Sequence, residues 1–213
     1  MSQPPDAILI LGTHCPHCPV VLQALSTMIK AGELGRLEVV NLEQMPDVAQ
    51  SLGVRSVPWT RVGPFELQGV RTLDELRGWA LKAGTVEGMA EYIDELIGAG
   101  KIERVTELVH KDDSVLDAVF HLLGDRDAKI NIRLGLGVVI EALQGSTLLG
   151  QRVDALGALS SHKSAAIRAD AAHYLALTGV ENARSYLQAR LEDTDKDVRE
   201  IAEEGLEMLD AGS

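Results

Sequence analysis

The hydrophobic pattern of the chain changes near Gly84. Before that point short apolar runs alternate with amphipathic stretches. Ala7-Ile8-Leu9-Ile10-Leu11 is an unbroken apolar run of strand length and predicts the first strand. Val20 to Lys30 carries its apolar residues at helical spacing. Leu37-Glu38-Val39-Val40-Asn41-Leu42 is rich in branched residues and predicts a second strand. Asp47 to Leu52 predicts a short helix ended by Gly53. Ser56 to Val62 predicts a strand with a proline near its start, and Gly63-Pro64 a turn into a return strand, Phe65-Glu66-Leu67. Thr72, with Glu75 three residues on, has the form of a capping box opening a helix through Lys82. The predicted order over residues 6–83 is β-α-β-α-β-β-α, with Ile8, Leu9, Ile10, Val39 and Val40 as the buried sheet residues.

From Thr85 onward strand signals vanish. Val86, Met89, Ala90, Ile93, Leu96 and Ile97 fall on one face at helical spacing. Later segments echo one another: Val198-Arg199 repeats Ile167-Arg168 at a distance of 31 positions, and Ile132-Arg133 precedes the latter by 35. Periods of this size are those of stacked helix pairs in a solenoid. The segments resemble short HEAT-like repeats, clearest over residues 128–210, with an irregular helical bundle as the alternative. The predicted division is therefore an α/β domain over residues 1–83 and an all-α HEAT-like repeat domain over residues 85–213.

Charge follows the same division. The chain of 213 residues has a net charge of -12. Residues 1–83 hold 7 Lys and Arg against 8 Asp and Glu, whereas residues 84–213 hold 13 against 24. An acidic surface of that kind argues against nucleic acid, since phosphate binding needs a basic one. It suits solubility or attraction to a basic patch on a protein partner. No stretch reaches the roughly eighteen apolar residues of a membrane span. The first residues lack a basic segment ahead of the apolar run, so no export signal and a cytoplasmic location are expected.

Two cysteines make up the whole cysteine complement, three positions apart in Thr13-His14-Cys15-Pro16-His17-Cys18-Pro19. They lie between the first predicted strand and the first predicted helix, the setting of a redox-active Cys-x-x-Cys. A disulfide closing so small a ring removes little unfolded-state entropy, about 2 kcal/mol in the loop-closure account. It is a poor staple, and in a reducing compartment a lone pair reads as catalytic. Cys15 sits just ahead of a helix whose N-terminal amides and dipole favour a thiolate. Pro16 and Pro19 fit a first helical turn, and His17, when charged, adds to the stabilisation. Cys15 is thus the expected nucleophile and Cys18 the resolving thiol, with Pro16 and His17 modulating. A zinc site built from His14, Cys15, His17 and Cys18 is the weaker reading, because adjacent residues on one short loop seldom converge as a tetrahedron. The exchange requires no cofactor and no metal.

The element order is that of the thioredoxin fold. Cys-x-x-Cys-Pro, then Gly53-Val54-x-Ser56-Val57-Pro58, then Gln68-Gly69-x-x-Thr72-Leu73-x-Glu75-Leu76 resembles glutaredoxin-like disulfide oxidoreductase domains, including the N-terminal domain of the bacterial alkyl hydroperoxide reductase flavoprotein. The resemblance covers about the first 80 residues. It implies a cis proline at Pro58 packed against the sulfurs. Beside it, Val57 and Trp59 are expected to face the substrate, with a half-buried strand residue as the alternative for Trp59. Leu9 stands where thioredoxins carry a buried acid, and the second glycine of glutathione-using glutaredoxins is replaced by Val70. A protein disulfide oxidoreductase follows. The helical repeats are expected to recruit its protein partner, a disulfide or dithiol substrate or a reductase or peroxiredoxin-type protein. The alternative is an interaction scaffold or redox sensor in which the cysteine domain does not turn over.

Overall fold

The structure is a computed structural model and describes residues 3–211. The chain divides into two compact units, Met1–Met89 and Ala90–Ser213.

The first unit contains β1 (Ala7–Leu11), α1 (Cys18–Lys30), β2 (Leu37–Asn41), α2 (Pro46–Ser51), β3 (Trp59–Val62), β4 (Phe65–Gln68) and α3 (Leu73–Lys82). Its sheet has the order β2-β1-β3-β4, with β1 parallel to β2, antiparallel to β3, and β3 antiparallel to β4. This is the thioredoxin-like arrangement expected. β1 is central because its residues are apolar on both sides: Leu9 and Ile10 are fully buried. On one face Ile8, Ile10, Val40 and Trp59 pack with Ala49 of α2. On the other face α1 and α3 meet, and Phe65 of β4 lies against Trp79 of α3 with ring centroids 4.7 Å apart. The capping box forms as expected, with the Thr72 amide donating to Glu75 Oε2 at 2.7 Å and the Glu75 amide to Thr72 Oγ1 at 3.3 Å.

One expected core residue is misplaced. Val39 is 43% exposed, although its register partner Leu9 is completely buried. β2 is an edge strand, with a sheet neighbour on one side only, and a side chain there is less enclosed than one on the central β1.

The second unit is helical throughout its described residues. The helix α4 (Val86–Gly98) leads into α5 (Ile102–Lys111), α6 (Val115–Leu123), α7 (Ile130–Glu141), α8 (Thr147–Gly150), α9 (Val153–Leu159), α10 (Ala165–Leu177), α11 (Ala183–Arg190) and α12 (Lys196–Ala211). α5, α7, α10 and α12 follow one another side by side, while α9 and α11 pack against α10 and each other. The aliphatic-arginine echo has a physical cause. Ile132, Ile167 and Val198 are all buried at the starts of α7, α10 and α12. The adjoining arginines tie neighbouring segments together. Arg133 bonds Asp170 on the next helix of the row. Arg168 grips Asp193 through Nε and Nη2, at 2.8 and 2.6 Å, and Arg199 donates to the Asp193 carbonyl at 2.6 Å. The region is a run of repeated helices. α7 departs from simple amphipathicity, because Ile130, Leu134 and Val138, one turn apart, are all exposed on the side away from its buried residues.

Candidate active site

β1 delivers the chain at Gly12, and α1 starts six residues later at Cys18. The intervening loop folds back on itself, the Cys15 amide donating to the Gly12 carbonyl at 3.2 Å. Cys15 and Cys18 are joined in a disulfide, with their Cα atoms 5.5 Å apart. The two sulfurs have different surroundings. Cys15 is half-buried at the rim, and Cys18, the first residue of α1, is only 3% exposed. The Cys18 amide donates to Cys15 Sγ at 3.1 Å. That amide belongs to the first helical turn and has no intrahelical acceptor, so the helix start presents its free donor to the outer sulfur. A thiolate at Cys15 would receive the same bond in charge-assisted form. Pro19 occupies a first-turn position in α1, and His17, Pro16 and Val20 are exposed around the rim.

Pro58 lies immediately ahead of β3, buried, with the Val57–Pro58 peptide bond cis, as the family resemblance implied. Its carbonyl accepts from the Gly69 amide at 2.9 Å, which ties the loop after β4 to the proline. Val57 is half-buried beside the cysteine loop. A Cβ placed on Gly12 would lie 3.3 Å from Val57 Cγ2, 3.7 Å from Cys15 Cβ and 3.1 Å from Glu43 Oε1. The three segments therefore converge on one glycine, where a side chain would need Glu43 and Val57 to give way by a few tenths of an ångström.

The expectation for Trp59 is corrected. Its side chain is 2% exposed and packs with Ile8, Ile10, Val40 and Ala49. Alternation along β3 turns it toward α2, so it belongs to the core and leaves no surface for a substrate.

The sequence reading missed a polar ring next to the cysteines. Leu11 and Asn41 are partners in the β1–β2 register, so the loops leaving these strands run side by side. Both Glu43 carboxylate oxygens accept from the Thr13 amide at 3.1 Å. Asn41 Nδ2 donates to Thr13 Oγ1 at 3.0 Å, and its Oδ1 accepts from the Glu43 amide at 3.0 Å. The Thr13 amide, the Glu43 amide, the Thr13 hydroxyl and the charge of His14 together hold the Glu43 carboxyl below the usual range, against a smaller opposing effect of desolvation. In the sequence only the Asn41-x-Glu43 spacing after a predicted strand was available, and nothing in it points to Thr13.

Residues 6–81 match the family described as a thioredoxin domain. No curated protein is similar enough to the chain to count as a match. Fold, family match and paired cysteines together define the first unit as a thioredoxin domain whose close cysteine pair supports thiol–disulfide redox chemistry.

Proposed function

We propose that the chain is a protein disulfide oxidoreductase. Cys15 acts as the nucleophile, Cys18 as the resolving thiol and Pro58 as the element that borders the substrate. The observation that carries this reading is the bond from the Cys18 amide to Cys15 Sγ, which singles out the more accessible sulfur as the one a helix start stabilises. In the reduced protein the Cys15 thiolate attacks one sulfur of a substrate disulfide. An S–S bond forms between Cys15 and substrate, and the other substrate sulfur leaves as a thiolate. Cys18, after losing its proton, then attacks Cys15. The mixed disulfide breaks, the second substrate thiolate departs, and the Cys15–Cys18 disulfide remains. Two electrons pass from protein to substrate, and the same steps in reverse oxidise a dithiol.

Several observations support the finer parts of the proposal. The Cys-Pro-His-Cys spacing and the Val57-Pro58 segment favour kinship with glutaredoxin-like domains such as that of the alkyl hydroperoxide reductase flavoprotein, and hence a reductase or peroxiredoxin-type partner. Exposed Pro16, Pro19 and Val20 offer apolar surface at the sulfur, suited to a polypeptide more than to an anionic tripeptide. The helical half, with HEAT-like repeats and no cysteine, serves as the platform that holds the partner, and its acidity favours a basic patch on that partner. Residues 1–83 carry the redox chemistry, and the cytoplasm is the expected location. Reduction of insulin by dithiothreitol with the protein as catalyst tests the reading: acceleration that disappears in Cys15→Ser supports it, and no acceleration refutes it.

A further inference from the structure

Glu43 holds a carboxylate against the redox loop in a position that the exchange steps above leave unused. The loop's first amide, on Thr13, is bound by both oxygens of Glu43, and the Thr13 hydroxyl is bridged to Asn41 on β2. Glu43 Oε1 and Cys15 Cβ both lie within 4 Å of the point where Gly12 would carry a side chain. We propose that Glu43 is the positioning residue of the redox site, fixing the Cys15 loop through Thr13 and placing on that loop a negative charge that opposes the helix start of α1. The inference rests on the redox reading of Cys15 and adds the control of its thiolate.

The consequence has a definite sign. A carboxylate that stays ionised through the range in which a thiol titrates repels a thiolate at Cys15. The helix N-terminus and a charged His17 act in the other direction. Cys15 is thus held between opposing fields, and its thiolate fraction reflects their balance. The low basicity of Glu43 also makes it a poor proton acceptor, which leaves a fixed-charge role rather than a relay. The other ionisable groups on the converging segments are His14, His17 and Cys18 of the redox loop and Arg55 ahead of Val57; the substitutions below leave them unchanged.

The test compares Glu43→Gln, which keeps an oxygen acceptor for Thr13 but removes the charge, with Glu43→Ala, which removes both. In the reduced full-length protein, Cys15 alkylation by iodoacetamide is followed against pH by peptide mass spectrometry. Both variants are expected to lower the apparent Cys15 pKa by a few tenths of a unit at low ionic strength, for a charge several ångströms away in a water-like medium. The shift should shrink toward zero in 1 M salt. Hydrogen exchange at the Thr13 amide should quicken more in Glu43→Ala than in Glu43→Gln. Circular dichroism checks that both variants remain folded, and Glu43→Asp supplies a charged comparison, expected to move the Cys15 pKa back toward wild type. An unchanged or raised Cys15 pKa in Glu43→Gln at low salt overturns the proposal, as does a shift that persists in 1 M salt. Alkylation needs no turnover, so failure of the protein to reduce disulfides would refute the redox reading without deciding the Glu43 result.

Discussion

The Cys18 amide donates to Cys15 Sγ at 3.1 Å, from the first residue of α1. In the proposed exchange, the residue that later attacks Cys15 and releases the substrate thiolate thereby supplies, through its backbone, stabilisation to the Cys15 sulfur. The bond exists because Cys18 occupies the first helical position, where an amide has no partner within the helix. Two residues between the cysteines are enough for one sulfur to sit over that amide while the other turns into the protein.

The first expectation concerns acidity. Cys15 should titrate below the free-thiol value of about 8.5, because the helix start favours the thiolate. A stabilised thiolate stabilises the reduced form, so the pair should be more oxidising than thioredoxin at roughly -270 mV. His17→Ala should raise the Cys15 pKa by a few tenths of a unit and move the potential toward thioredoxin's, as measured by alkylation against pH and by equilibration in glutathione buffers. A Cys15 pKa at or above the free-thiol value contradicts the assignment.

Acid stability of the helical unit should depend on Asp193. Hydrogen bonds from Arg168 lower its pKa to about 2, helped by the Asp195 amide and the charges of Arg168 and Arg190, against desolvation. A carboxyl whose folded pKa lies below its ordinary value of 3.8 stabilises the fold above that value. The contribution is lost as the pH falls from about 4 toward 2. Thermal unfolding followed over this window should show a fall in midpoint that Asp193→Asn no longer shows. At neutral pH Asp193→Asn should be less stable by about 2 kcal/mol or more, because Arg168 is left in a largely buried place without its counter-charge. Equal stability of the two proteins at neutral pH contradicts this role.

A further expectation is modular. All sulfur chemistry lies in the first unit, whose sheet, α1, α2 and α3 enclose their own apolar residues. A chain ending near residue 84 should fold and keep its activity toward a small disulfide such as dithiobis(nitrobenzoate), while losing rate with its protein partner. Loss of folding, or loss of small-disulfide activity in a folded fragment, places the helical unit inside the catalytic assembly.

Local features of the site were legible in the sequence where the physics is local. The strand-to-helix placement of Cys15 and Cys18 and the capping box of Thr72 and Glu75 each depend on residues a few positions apart. Pro58 needed a family resemblance, since nothing in its own segment specifies a cis bond. Trp59 and Val39 were misjudged for one reason: alternation tells which residues share a face, but not which face a helix covers or how far. Glu43 was invisible because its partner Thr13 is thirty residues away, brought near by the parallel pairing of Leu11 with Asn41. The aliphatic-arginine echo announced repeated helices, yet only the folded chain shows Arg168 and Arg199 meeting at Asp193.

The most direct measurement of the central claim compares two single-cysteine proteins. Reduced Cys18→Ser and Cys15→Ser are mixed with an unfolded, disulfide-containing polypeptide, quenched with acid, and the mixed disulfides quantified by mass spectrometry. Cys18→Ser should accumulate a mixed disulfide through Cys15. Cys15→Ser should form little or none, since Cys18 is buried and lacks the helix-start bond that Cys15 receives. Equal or faster trapping through Cys18, or none through Cys15, would contradict the assignment of nucleophile and resolving thiol on which the account rests.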